Sequence, residues 1–171
     1  MTEFNDEKMK RRWLFYLLAG LLFGVFDFYY QVWVSSLYPK VTLSNLGMIV
    51  IVLAVWLLLV VPIALCEAKS SRSIWLVAFA SAFTWTISVI AYYLFMAIKL
   101  FLIGEPGRAE LHISNRDAPY YWSNFKNVLV GDVLGGISEW IVVSLVGGSL
   151  IGLLIGFLGL RPKKSALRPK K

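Results

Sequence analysis

Four long apolar segments, separated by short polar interruptions, set the pattern of this chain. They run over about residues 13–34, 46–66, 74–98 and 140–160. A helix needs about 20 apolar residues to cross a hydrocarbon layer of ~30 Å, and each segment meets that length. The interruptions carry the charges, prolines and glycines expected where a chain leaves lipid: Tyr38-Pro39-Lys40, Glu67-Ala68-Lys69, Gly104-Glu105-Pro106-Gly107 and Arg161-Pro162. The pattern predicts an all-α integral membrane protein with four transmembrane helices in a bundle. Residues 1–12 form an N-terminal segment, 13–160 the transmembrane domain with an outer loop at 104–138, and 161–171 a basic tail.

Within the segments, small and polar positions recur at helical spacing. Gly20, Gly24, Asp27 and Gln31 follow one another at i, i+4, i+7 and i+11, which places them on one face of the first span. The third span has a second stripe in Ser81, Thr84, Ser88 and Ala91. In the fourth, Ser144, Gly148, Gly152 and Gly156 fall every four residues, as in a glycine zipper. Helices in lipid gain little by hiding apolar surface, so small residues that permit close approach mark their contacts. These stripes predict packing seams, within the chain or toward another subunit. The second span differs: its run over 55–61 is apolar all round and is expected to face lipid, with Pro62 kinking its inner third.

The outer loop is the one sizeable stretch expected outside lipid. Asp117-Ala118-Pro119 reads as a helix start, and Tyr120, Tyr121, Trp122 and Phe125 suit headgroup depth. Residues 119–135 are therefore expected to form a short interfacial amphipathic helix or a shallow re-entrant segment, loosened by Gly131, Gly135 and Gly136. Ser138-Glu139 reads as the cap of the fourth span. Asp132 lies seven residues before Glu139, on the same face if the stretch is helical.

Composition agrees with this pattern and charge orients it. Hydrophobic residues make up 58% and charged residues 16%, against about 45–50% and about 25% in ordinary soluble domains. With the N-terminus inside, the inner side holds twelve of the 17 Lys and Arg residues. Lys40, Lys99, Arg108, Arg116 and Lys126 remain outside. That asymmetry predicts a multi-pass protein of a plasma (inner) membrane with both termini cytoplasmic. No cleavage site follows the first apolar run, which reads as a retained span. The tail cations Arg161, Lys163, Lys164, Arg168, Lys170 and Lys171 are expected to contact anionic lipid headgroups, at roughly 1 kcal/mol each. The tail is short and has no interleaved aromatics, so nucleic acid is not an expected partner.

Chemistry is limited. One Cys (Cys66) and one His (His112) exclude an internal disulfide, a dithiol pair and a bis-histidine haem within this chain. No catalytic triad, phosphate-binding loop or zinc-helix pattern is present, so neither an enzyme nor a cofactor or metal site is expected. The exception is Asp27, about fourteen residues into the first span and some ~21 Å from its inner edge. A bare carboxylate at such depth costs up to about 2.5–3.5 kcal/mol, so it must be paired, hydrated or protonated. Depth nominates Lys99 as its partner, with Gln31 and Tyr92 as hydrogen-bonding neighbours and Asp132 and Glu139 as further acids. Glu67 is expected to be balanced by Lys69 or by the basic N-terminal segment. Two functions follow. One is a non-catalytic membrane subunit or scaffold that packs through its small-residue faces in a larger complex or homo-oligomer. The alternative is a small ion- or proton-coupled transporter or channel component using Asp27.

Overall fold

The computed structural model describes residues 2–37, 45–104, 113 and 116–160. His112, Lys40, Arg108, Glu105-Pro106-Gly107 and the six tail cations lie outside the described residues. The described chain is all-helical, with no strands. Its elements are α1 (Thr2–Leu37), α2 (Asn45–Ser71), α3 (Ile74–Ile103), α4 (Tyr121–Val128), a π-helical stretch (Leu129–Leu134) and α5 (Gly135–Gly159). Four helical stretches are long and apolar enough to cross a membrane: Glu7–Leu37, Val50–Ser71, Ile74–Ile103 and Tyr121–Gly159.

The last of these differs from expectation. A helix start was expected at Ser138-Glu139, yet α4, the π stretch and α5 follow one another without a break over 39 residues. Helical packing overrides the glycines here, and the π stretch absorbs the irregularity. Ser138 consequently sits inside the helix and returns its hydroxyl to the Leu134 carbonyl at 2.9 Å. Asp117 is not a cap either. The helix begins one turn later, at Tyr120, with no side-chain cap. What anchors this end is packing against α3. The Tyr121 hydroxyl donates to the Leu100 carbonyl at 2.6 Å, and the Trp122 and Phe125 rings lie 6.0 and 6.2 Å from Phe101.

α3 is the helix the others share. It packs against α1, α2 and α5, and α2 also meets α5. On one side Gly20 and Gly24 of α1 press on the Thr84, Ser88 and Ala91 stripe. A Cβ on Gly20 would lie 2.8 Å from the Thr84 carbonyl oxygen, and one on Gly24 would overlap the Ser88 carbonyl and sit 2.6 Å from the Ala91 Cβ. On the other side α5 runs antiparallel to α3. A Cβ on Gly148 would meet the Ala82 Cα at 2.7 Å, and one on Gly152 the Ala78 Cα at 2.6 Å. The register continues to Gly156 beside Ile74 and to Ser144, whose hydroxyl lies 2.9 Å from that of Thr86. Both glycine stripes therefore find their partner in α3 of the same chain. Two of the α3 hydroxyls are satisfied within the helix: Ser81 and Thr84 donate back to the Val77 and Ala80 carbonyls, each at 2.8 Å.

The second span shows what composition alone conceals. Its 55–61 run was expected to face lipid all round. Instead Val55, Trp56, Leu59 and Val60 are buried against α1 and α3, while Leu57 and Leu58 remain exposed. A uniformly apolar helix carries no mark of its packed face, so the choice falls to its neighbours. The α2–α3 connection is two residues long and turns through Arg72 at φ 52°, a left-handed position. After α3 the chain leaves at Gly104, whose φ of 77° suits glycine and whose N–H closes on the Leu100 carbonyl at 2.9 Å.

Candidate functional site

Asp27 is buried to 1% exposure, one helical turn beyond Gly24, where α1 lies tight against α3. Gln31, on the same face a turn further, directs its amide Nε2 to the Asp27 carboxylate at 3.3 Å. Both side chains line a cavity of about 220 Å³. All four long helices contribute: Val52 and Trp56 from α2, Val89, Tyr92 and Tyr93 from α3, and Trp140 from α5. The cavity exists because the glycine seams end here. Close backbone contact gives way to bulky rings that cannot fill the remaining space as glycine does. The indole of Trp56 stacks on Trp85 at 5.5 Å, and its N–H, like that of Trp85, is buried with no protein acceptor. Indole N–H groups normally find a partner when buried. Both nitrogens are closed off from water-sized space, so neither N–H opens onto the cavity.

Of the residues the sequence singled out, the structure brings Asp27, Gln31 and Tyr92 together. Lys99 is not among the residues lining the cavity. Its ammonium lies over the rings of Phe28 and Tyr29, at 5.2 and 5.9 Å from their centroids. Phe28 follows Asp27 by one residue and so points about 100° around the helix from it. Asp132 and Glu139 are exposed and are not among the residues lining the cavity. Trp56, Tyr93 and Trp140, which complete the walls, were not picked out. Each is an ordinary aromatic in an apolar run, and only the register between helices sets them around Asp27.

A second buried carboxylate sits near the other end of α1. Glu67 is fully buried, and its Oε2 accepts from the Tyr16 hydroxyl at 2.8 Å and lies 2.8 Å from Arg12 Nε. The Arg12 contact is an ion pair by distance, although its N–H is not aligned for a hydrogen bond. The charge thus comes from the N-terminal segment, one of the two sources expected, while Lys69 stays exposed. Antiparallel α1 and α2 carry the reason, since residues at the start of one lie beside the end of the other. Among the described residues, no three His, Cys, Asp or Glu side chains come together as a metal site.

Neither the family models, the curated proteins nor the solved structures contain a match to this chain.

Proposed function

We propose that this chain is a multi-pass membrane protein that admits a small cation or proton-linked solute to the cavity at Asp27, as a small ion- or proton-coupled transporter or channel component. One observation carries the reading: a buried carboxylate on the wall of a cavity that all four long helices enclose. Ionisable groups at membrane depth mark pathways for ions and protons because they are too costly to keep otherwise. The alternative, a scaffold holding other subunits through small-residue faces, draws less support from the glycine stripes, because both pack on α3 of the same chain. In this reading the four apolar helices form a bundle in a plasma membrane with both termini cytoplasmic. The exposed leucines and phenylalanines of α1, α2 and α5 face lipid, and the tail cations meet headgroups.

The test is flux into sealed liposomes carrying the purified chain. Proton and monovalent-cation entry should rise above that of empty liposomes. Asp27→Asn should reduce it by roughly tenfold or more, the factor about 1.4 kcal/mol corresponds to. Equal flux through Asp27→Asn, or no flux through the unaltered chain, overturns the reading. A tail tag reached by impermeant reagents in intact cells overturns the orientation.

A further inference from the structure

We infer that the guest of the Asp27 cavity is a small organic ammonium ion, held by the Asp27 carboxylate on one side and by aromatic faces on the others. The inference rests on the proposed function and names its ligand class. It follows from which cations the walls suit. A hard metal ion wants six or more oxygen ligands and gives up its water reluctantly. Around this cavity the oxygens are those of one carboxylate, one amide and two phenols, with no second carboxylate among the lining residues. A bare proton needs no room at all, yet the cavity measures about 220 Å³. A dry apolar cavity of roughly 150 Å³ already holds a benzene-sized guest. The space therefore matches a compact organic solute with a water or two.

The walls specify its charge. Trp56, Tyr92, Tyr93 and Trp140 present four aromatic rings around one acid. Rings of this kind attract cations through their negative faces, most strongly when the cation is desolvated, and they are the usual means of recognising alkylated ammonium groups. Alkylated ammonium is also weakly hydrated, so bringing it to this depth costs less than bringing sodium. A single carboxylate balances a single positive charge. The one nearby cation of α3, Lys99, has its ammonium over Phe28 and Tyr29.

The test is calorimetric titration of the full chain in mild detergent with choline, with its neutral isostere 3,3-dimethylbutan-1-ol, and with sodium chloride at matched ionic strength. Choline should bind saturably. The isostere should bind roughly tenfold or more weakly, about 1.4 kcal/mol. Asp27→Asn should remove the preference for choline, and Trp56→Leu should weaken choline while leaving helical content and elution volume unchanged. Trp140→Leu serves the same purpose should Trp56→Leu fail to fold. Equal binding of choline and the isostere overturns the ammonium assignment. So does saturable binding of sodium alone, or no saturable binding of choline. Asp27-dependent flux of protons or sodium surviving any of those results leaves the transport reading intact. Choline binding without flux removes the transport reading and keeps the ammonium site.

Discussion

Among the described residues two carboxylates are buried, and their surroundings differ. Glu67 is packed with its countercharge. Arg12 lies 2.8 Å from its Oε2 and Tyr16 donates to the same oxygen at 2.8 Å, while Oε1 is buried without a hydrogen-bond partner. Asp27 accepts from the Gln31 amide on the wall of a cavity that Trp56, Tyr92, Tyr93 and Trp140 also line, and the Lys99 ammonium lies over the Phe28 and Tyr29 rings. The same functional group thus serves as a fastening at one end of α1 and as a wall of a cavity near the other. What separates them is not depth or charge but what α1 meets. Near Arg12 it meets α2 side on. Beyond Gly24 it passes from a tight seam to a gap.

The largest expected difference lies in stability. Arg12→Ala strands a fully buried carboxylate, and removing one partner of a buried pair costs about 3–5 kcal/mol. Unfolding of the purified chain in mild detergent should show that loss. Replacing both Arg12 and Glu67 by Met should restore most of it, because an apolar pair of similar volume is often neutral. A double variant as weak as the single one contradicts the fastening role. Gly24→Ala comes next. Its methyl collides with the Ser88 carbonyl and with Ala91, so α1 and α3 must part, at a cost of about 1–3 kcal/mol. Gly156→Ala, whose methyl would find Ile74 Cα at 3.3 Å, should lose clearly less than Gly24→Ala, since its neighbours need give only a few tenths of an ångström. If the seam also sets the cavity, Gly24→Ala weakens choline binding as well as stability. Unchanged binding would separate the two. Asp27→Asn should cost less than about 1 kcal/mol in the same assay, since it removes a charge that is expensive at that depth along with its contacts. A loss approaching that of Arg12→Ala makes Asp27 a fastening too.

Much of this was legible in the sequence, and the remainder was hidden for a definite reason. Apolar length located the four spans, and spacing alone put Gly20, Gly24, Asp27 and Gln31 on one face. Spacing also found the stripes of α3 and α5, because small residues at every fourth position have few other uses in an apolar helix. What spacing does not carry is rotation between helices. Lys99 was nominated by depth, yet its ammonium lies over Phe28 and Tyr29 rather than among the residues that line the cavity. Trp56 sat in a run with no marked face, so its place beside Asp27 was invisible until Val55, Trp56, Leu59 and Val60 were seen to turn inward together. The start of the last helix was misplaced for another reason. Gly131, Gly135 and Gly136 look like breaks, yet the helix runs through all three, and at Gly136 the end of the Tyr93 side chain lies against α5.

The smallest effect tests the comparison most sharply. Lys99 lies over Phe28 and Tyr29 and is half-buried, a setting in which a cation–π contact contributes about 0.5–1 kcal/mol. Lys99→Met keeps the length and apolar stem of the side chain and removes only its charge. If the rings are its partners, stability should fall by no more than about 1 kcal/mol. Choline affinity should hold or rise slightly, because a nearby positive charge has been lost. If Lys99 instead neutralises Asp27, its removal strands that carboxylate. The loss then approaches that of Arg12→Ala, and choline, supplying the missing charge, restores much of it. That second outcome would make the two ends of α1 alike, each an acid with its own base. The cavity would then be a space beside an ion pair rather than a site waiting for a cation.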